Sequence, residues 1–223
     1  FSVYVQESKS NEYIFISSYS TLTTEHQFIK AEEPLANFQL IQKRTRGLEY
    51  SVSQFEDSFF ILNNKDGAKN YKISKTPIAS PSMNYWEDLL DHREGILLED
   101  LAIFKTHWVV TERELGLTRL RVQNWEGSED FFIPVDGETY SLYGGYNPSF
   151  DTTKFRYGYT SLNTPSSLYE FDMATQQQEL LKQKVVIDDT FKVDNYIEKR
   201  LWATGRDGEK IPISMIHHKD VVY

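Results

Sequence analysis

The sequence contains no cysteine, little glycine or proline, and no long hydrophobic run. The absence of cysteine excludes disulfide frameworks, thiolate zinc sites and cysteine nucleophiles together. With 11 glycines and 7 prolines among 223 residues, the composition is not that of a disordered or collagen-like chain. No run approaches the roughly 18–20 apolar residues of a membrane-spanning helix. No cationic start followed by an apolar segment indicates a signal peptide.

Positive charge is also scarce, with 24 Lys+Arg against 33 Asp+Glu and a formal net charge of −9. This balance argues against a nucleic-acid-binding or anionic-membrane surface. It permits cationic partners, but ordinary solubility is the favoured explanation for such a charge. The expected location is the cytoplasm, because a chain without cysteine suits a reducing compartment. A periplasmic or secreted location stays open, since the sequence begins at Phe1 within an apparent strand and reads as part of a longer chain.

Aromatic residues, at 14%, are abundant, and they recur in short strands at a nearly constant spacing. The aromatic-rich strands begin at Tyr13, Phe59, Trp108 and Phe155, which are 46, 49 and 47 residues apart. A period in this range, with several short strands in each unit, is typical of β-propeller blades. Because one blade cannot bury its own faces, the repeat predicts a stack of blades.

Each repeat divides into four predicted strands with turn residues between them. These strands cover residues 2–6, 13–18, 27–31 and 38–43, then 48–55, 58–63, 70–74 and 86–90, then 96–104, 107–113, 118–124 and 130–134, then 140–146, 154–161, 167–172 and 178–184. Helix propensity favours a helix over 175–183, but the repeat predicts a turn into a strand there. Proline has no backbone N–H to donate to a sheet, so Pro77 and Pro81 are expected in a connection between strands.

Beyond about residue 192 the pattern changes to two segments, 195–206 and 210–218, that flank Asp207-Gly208. This dipeptide is a strong signal for a two-residue hairpin turn. The predicted fold is therefore all-β. It comprises a partial β-propeller of about four four-stranded antiparallel blades over residues 1–190, and a connection with a terminal β-hairpin over residues 191–223.

No catalytic constellation is evident in the motifs. The sequence has no Gly-x-Ser-x-Gly, no phosphate-binding glycine loop and no His-Glu-x-x-His. Adjacent His217 and His218 point to opposite faces of a strand and cannot easily share a metal ion, and His107 is expected at a strand edge. Three carboxylate pairs could serve glycoside hydrolysis or attract cationic peptides, but such pairs are most often solvated turn residues. They are Glu32-Glu33, Glu99-Asp100 and Glu129-Asp130.

One glycine-rich segment, Tyr143-Gly144-Gly145-Tyr146, fits either a phosphate or oxyanion loop or a kink in a strand. Because no basic residue or helix start follows it, the kink is favoured. The prediction is that this chain holds no catalytic residue, no metal site and no cofactor site.

Several stretches together resemble the propeller of the prolyl oligopeptidase family, and within it the oligopeptidase B, or protease II, branch. They are LLEDLAIFK (97–105), WVVTER (108–113), GLTRLR (116–121), RYGYTSLNTPSSLYEFD (156–172), LWATGRDGEKIPIS (201–214) and YIFISSYST (13–21). The resemblance runs in order over essentially the whole chain. It implies the last four blades of a seven-bladed propeller, followed by the second interdomain connection and the opening hairpin of an α/β-hydrolase domain.

The resemblance also implies a function. Members of this branch are serine peptidases that cleave short peptides after Arg or Lys, and their propeller screens out folded proteins. The triad serine, aspartate and histidine would all follow residue 223, so this chain alone should be inactive. Expected partners are basic peptides and the hydrolase domain of the same polypeptide, with neither nucleic acid nor a membrane. The segment 188–195 is either a hinge between the domains or a plain linker.

Two further expectations concern the chain by itself. The open blade faces and strand edges of a partial propeller predict self-association, as a dimer of facing half-propellers. The alternative to a peptidase is a stand-alone propeller-like interaction module without enzymatic activity.

Overall fold

The computed structural model describes residues 1–188 and 190–221, and its regular secondary structure is almost entirely β-strand. Asp189, which falls in the predicted hinge, and Val222 and Tyr223, which end the predicted hairpin region, lie outside the described residues. By its internal contacts the chain divides into two compact units. The first comprises Phe1–Glu112 and Pro148–Thr152, and the second comprises Arg113–Asn147 and the chain from Thr153 onward.

Four four-stranded sheets follow one another along the chain, each with its strands in sequence order, as predicted. The first contains β1 (Ser2–Glu7), β2 (Tyr13–Ser20), β3 (Thr23–Lys30) and β4 (Gln39–Leu40). The second contains β5 (Tyr50–Phe55), β6 (Ser58–Asn63), β7 (Lys72–Pro77) and β8 (Glu87–Leu90).

The third sheet contains β9 (Ile96–Ile103), β10 (His107–Glu114), β11 (Leu117–Asn124) and β12 (Asp130–Phe132). The fourth contains β13 (Tyr140–Gly144), β14 (Lys154–Ser161), β15 (Ser167–Asp172) and β16 (Gln177–Gln183). A separate two-stranded sheet consists of β17 (Tyr196–Thr204) and β18 (Lys210–His218). Short 3₁₀ turns cover Lys65–Gly67, Met83–Tyr85 and Val193–Asn195.

In the second and third repeats, the strand that carries the aromatic motif is covered on both faces. In β6, every residue from Phe59 to Asn63 is buried, and β10 is buried from His107 to Glu112. A strand that is covered on both sides reads as a continuous apolar run rather than as an alternation. The outermost strand β16 is exposed at every position. It forms where residues 175–183 also had helix propensity, so the repeat predicted this element correctly.

Aromatic side chains from successive sheets build the core of the first unit. Phe28 on β3 packs edge-to-face on Phe59 of β6, with ring centroids 4.9 Å apart. Phe15 meets the same ring at 5.8 Å. The remaining fully buried members of this cluster are Ile41, Leu48, Tyr50, Ile61 and Trp86. Such rings contribute both large buried area and a specific edge-to-face geometry.

The core of the second unit is built in the same way. Leu120 and Val122 on β11 and Phe171 on β15 are completely buried. Phe131 contacts Phe171 with centroids 6.1 Å apart. These contacts place β11 and β12 beside the fourth sheet.

Two local predictions are corrected. The connection between β17 and β18 is a five-residue loop, 205–209, rather than a two-residue turn, because the last paired residues are Thr204 and Lys210. Gly208 still provides the positive φ, at +88°, that the turn requires. Pro77 is the last residue of β7 rather than part of the connection, and it pairs with Ser58 at the strand end, where a missing donor costs little.

Candidate functional site

The described histidines take structural positions. His26 is buried; its Nδ1 lies 2.8 Å from the Ser17 Oγ and its Nε2 lies 2.9 Å from the Tyr50 carbonyl oxygen. A serine hydrogen-bonded to a histidine is the geometry of a nucleophile and its base. Here, however, Ser17 is 0% and His26 is 2% exposed, so no substrate can reach the hydroxyl. Burial lowers the pKa of His26, which favours the neutral ring.

Three other histidines lie at strand ends. His107 begins β10, as predicted, and its Nδ1 is 2.8 Å from the Thr106 Oγ1. The Nδ1 of His217 contacts the His218 carbonyl oxygen at 3.0 Å, and His218 lies 3.3 Å from Asp220. Within residues 1–188 and 190–221, no group of three or more His, Asp or Glu side chains is arranged to hold a metal ion.

The three carboxylate pairs have different local surroundings. Asp130 forms a two-point ion pair with Arg121, with N–O distances of 2.7 and 2.6 Å. Glu99 and Asp100 are neighbours on β9 and so point to opposite faces. Glu32 contacts Lys30 at 3.7 Å in an exposed turn. Each pair therefore has a local role.

The structure contains a cleft beside Glu32 that was not predicted from the sequence. This cleft, of about 430 Å³, is also lined by Glu12, Tyr13, Glu56 and Asp57. Burial raises the pKa of the Tyr13 phenol; Glu12 and Asp57 raise it further, whereas Lys30 lowers it. These acids come from turns far apart in the sequence, so only the packed fold brings them together.

The glycine-rich segment ends a strand. β13 ends at Gly144, and the Gly145 N–H donates to the Arg156 carbonyl at 2.8 Å. That amide is engaged in the sheet and is not presented to an anion. The Tyr143 ring packs over Gly158, its direct partner on β14, and fills the position that a side chain would take there.

The β17–β18 hairpin has two chemically different faces. Residues of β17 alternate, so that Tyr196, Glu198 and Arg200 are partly buried while the residues between them are exposed. The opposite face carries Ile197 and Leu201, together with their β18 neighbours Ile211 and Ile213, all at least 38% exposed. A strand places successive side chains on opposite faces, so Glu198 and Arg200 lie on one face of this hairpin and the exposed isoleucines and Leu201 lie on the other.

Glu198 makes the strongest set of contacts on the docked face. Its Oε1 accepts hydrogen bonds from the Ser161 hydroxyl and the Asn163 N–H, each at 2.5 Å. Its Oε2 accepts from the Thr139 hydroxyl at 3.0 Å. Thr139 precedes β13, Ser161 ends β14 and Asn163 follows it, so a single carboxylate joins the hairpin to two separate segments of the fourth sheet. Hydrogen bonds to a charged acceptor are stronger than those between neutral groups.

Arg200 makes the second set of contacts. Its Nη2 donates to the Leu115 carbonyl, and its backbone N–H donates to the Glu138 carboxylate at 3.1 Å. Gly116, next to Leu115, has a φ of +82°, and a Cβ there would lie 3.2 Å from the Arg200 Nη2. The turn between β10 and β11 therefore approaches the arginine so closely that glycine is the residue that fits.

This docked hairpin makes several hydrogen bonds to residues that are distant in the sequence. It is a junction through which the sheets hold a following element of structure. No described helix has the length and apolar character that crossing a bilayer would take.

Comparison with known proteins identifies the sheets. The N-terminal β-propeller domain of prolyl oligopeptidase matches residues 1–184. Dipeptidyl aminopeptidase BI from Pseudoxanthomonas mexicana is 35% identical over 97% of this chain and 30% of its own length. Protease 2 from Moraxella lacunata is 28% identical over 97% of this chain and 31% of its own length.

Solved structures agree with these sequence matches. Oligopeptidase B from Leishmania major superposes with a TM-score of 0.88 at 25% identity, covering 99% of this chain and 32% of that chain. Oligopeptidase B from Trypanosoma brucei, with covalently bound antipain in a closed form, gives a TM-score of 0.89 at 25% identity, covering 100% and 32%. The present chain thus spans about a third of the length of these relatives. With its four propeller-like sheets and the match over residues 1–184, it belongs to the prolyl oligopeptidase family, as the resemblance in its sequence indicated.

Proposed function

We propose that this chain is the propeller part of a serine oligopeptidase that hydrolyses short peptides after Arg or Lys, and that it limits access by substrate size. The observation that carries the proposal is the sequence of elements. Residues 1–184 match the family's propeller domain, and they are followed by a hairpin that is docked through Glu198 and Arg200 and exposes apolar side chains on its opposite face. An open apolar sheet face is what a hydrolase domain would cover.

The alternative of a stand-alone interaction module is not favoured, because the relatives named above are peptidases that match almost the whole chain. The cytoplasmic location stays a prediction. Self-association of this chain through open strand edges is also part of the proposal, and it is supported by the exposed apolar residues of β1.

The experiment compares this chain with the full-length protein encoded by its gene. Both are incubated with N-blocked fluorogenic peptides that end in Arg, Lys or an uncharged residue. We expect the full-length protein to cleave the Arg and Lys peptides and not a folded protein substrate, and this chain alone to cleave none. Turnover by the purified chain, undiminished after removal of contaminating proteases, would contradict the assignment of a non-catalytic role.

A second specificity is favoured by one relative, whose name describes a dipeptidyl aminopeptidase. Such an activity requires a free amino terminus on the substrate. Comparing the same dipeptide substrate with a free and with a blocked amino group separates the two candidates. Cleavage of only the free form indicates dipeptide release, and cleavage of the blocked form indicates an oligopeptidase.

A further inference from the structure

A small pocket beside the fourth sheet is lined by three tyrosine rings. It has a volume of about 180 Å³ and lies between the segment that follows β12 and strands β14 to β16. Tyr157 and Tyr159 are two residues apart on β14 and so share one face, and Tyr169 on β15 is the direct partner of Tyr157. Pockets for drug-sized molecules span roughly 300–1,000 Å³, so this one suits a single side chain or a small amine.

The three rings meet in two orientations. Tyr157 and Tyr169 stack with their centroids 5.4 Å apart and their planes 13° from parallel. Tyr159 lies at 84° to Tyr169, with centroids 6.4 Å apart. Rings at nearly right angles give a pocket adjoining aromatic walls. The negative face of such a ring attracts a cation that lies within about 6 Å of its centroid.

Hydrogen bonds fix the pocket before any ligand arrives. The Tyr157 hydroxyl donates to the Gln178 Oε1 at 2.8 Å, and the Tyr159 hydroxyl donates to the Asp136 carbonyl oxygen at 2.7 Å. A Cβ on Gly137 would lie 3.1 Å from the Tyr159 hydroxyl, so glycine allows the segment after β12 to approach the ring this closely. The segment is thereby fastened to β14, and a ligand need not order it.

The charge at the pocket is negative. Among the eight described residues that line it, one is a carboxylate, Asp136, and none is basic. Burial raises the pKa of the Tyr157 and Tyr159 phenols, and the charges of Glu198 and Asp136 raise the pKa of Tyr159 further. The rings therefore stay neutral, while the two carboxylates create a potential that favours a cation.

We propose that this tyrosine pocket binds a small organic cation, an alkylammonium or guanidinium group, against the rings of Tyr159 and Tyr169 with the exposed Asp136 carboxylate as its counter-ion. A free amine and the side chain of a peptide Arg or Lys both carry such a group. The proposal does not rest on the proposed function, because binding here requires neither a hydrolase domain nor turnover.

The first test titrates the full-length protein with choline and follows binding by ligand-observed NMR. The control probe is dimethylbutanol, the alcohol in which carbon replaces the nitrogen of choline, so the two probes differ in charge and hardly in shape. We expect choline to bind at millimolar concentration and the alcohol to bind about fivefold more weakly or less. Equal affinities for the two probes, or no binding of choline, would overturn the proposal.

The second test assigns the binding to this pocket. Tyr169→Leu removes one ring and should weaken choline binding about fivefold or more, whereas Tyr169→Phe keeps the ring face and should retain the affinity. Tyr146→Leu is the matched control, because Tyr146 is 81% exposed and is not among the lining residues. Equal affinities in Tyr169→Leu and Tyr146→Leu would overturn the proposal.

A change to the exposed carboxylate keeps the proposal testable if Tyr169→Leu does not fold. Asp136→Asn should weaken choline binding about two- to fivefold, and the difference from wild type should shrink at high salt. Unchanged affinity in this variant would overturn the proposal. Competition with N-acetyl-arginine amide then identifies the source of the cation. Displacement of choline indicates a peptide side chain and its absence indicates a free amine, and both results support the site.

Discussion

Lys9 has an ammonium group whose pKa lies well below the ordinary lysine value. Lys9 lies in the loop between β1 and β2, and its Nζ is 3.1 Å from the centroid of the Phe104 ring. Burial lowers the pKa of this ammonium to about 7, while the charge of Asp100 opposes the shift. A cation over an aromatic face is attracted to the ring, but removal from water disfavours its charge.

This ionisation predicts a stability that rises with pH. Below about pH 7, Lys9 is protonated in both states, and the folded protein bears the full cost of the buried charge. Between about pH 7 and the ordinary lysine value of 10.5, the folded state releases its proton before the unfolded state, so stability increases. We expect Lys9→Met to flatten this rise and to stabilise the protein at pH 6. Urea midpoints of both proteins across this range provide the measurement, and an identical slope in the two would refute the assignment.

Glu112 and Glu114 lie two residues apart on β10 but differ in surroundings. The Glu112 side chain is 0% exposed and forms an ion pair with Arg93. Glu114 is 38% exposed and contacts Arg119 at 2.6 Å. Removing one partner of a buried pair leaves an uncompensated charge, whereas an exposed pair contributes little.

We therefore expect Glu112→Ala to lower the free energy of unfolding by about 3 kcal/mol. Glu114→Ala, the matched control, should lower it by about 0–1 kcal/mol. Equilibrium urea denaturation measures both. Similar losses of unfolding free energy in the two variants would contradict the prediction that the buried carboxylate contributes more to stability than the exposed one.

At the scale of the element, Gly116 allows the β10–β11 turn to lie close to Arg200 of the β17–β18 hairpin. Alanine at this position meets two obstacles, a φ of +82° and the Arg200 guanidinium. Gly127 has a similar φ of +72° but no atom within 4 Å of its would-be Cβ. Comparing alanine variants at Gly116 and Gly127 therefore separates the effect of backbone strain from the effect of disturbing the docked hairpin.

Both Gly→Ala variants should lose about 1–2 kcal/mol from left-handed backbone strain. Only Gly116→Ala should also loosen the hairpin, because its new methyl group displaces Arg200. Limited proteolysis in residues 184–195 is then expected to be faster in Gly116→Ala than in Gly127→Ala. Equal cleavage rates would argue against a close fit of the turn to the arginine.

The elements themselves were largely predictable from the sequence. Each blade is formed by strands that are adjacent in the chain, so local periodicity and turn residues such as Gly116 determine its strands. The hairpin loop was predicted too short because Asp-Gly is only a local preference, while the pairing of Thr204 with Lys210 depends on the whole strand. The roles of Lys9 and Glu198 were not predictable. Phe104 and the three donors to Glu198 are distant in sequence, and only packing brings them near.

At the scale of the whole molecule, exposed apolar strands predict association of the isolated chain. β1 lies at one edge of its sheet, with Val3 62% and Val5 70% exposed. An exposed apolar edge strand is a template for pairing with another chain. We expect this chain to form dimers or larger species in light scattering as its concentration rises.

The matched variants for this prediction are two Lys substitutions. Val5→Lys should shift the population towards monomer, because a charge on an edge strand opposes strand pairing. Leu35→Lys changes a residue that is 99% exposed but lies in a loop, and should have no such effect. A wild-type chain that stays monomeric at high concentration would contradict the prediction.

The two-faced hairpin also bears on how these proteins can be divided or recombined. A propeller that is cut before Tyr196 loses Glu198, and the donors of Thr139, Ser161 and Asn163 must then be satisfied by water. If a hydrolase domain keeps the hairpin but is joined to the propeller of another protein, it retains the Glu198 carboxylate without the three donors that bind it here. Chimeras of these peptidases should therefore exchange the hairpin together with its own blades, with the crossover placed after His218 rather than in the connection.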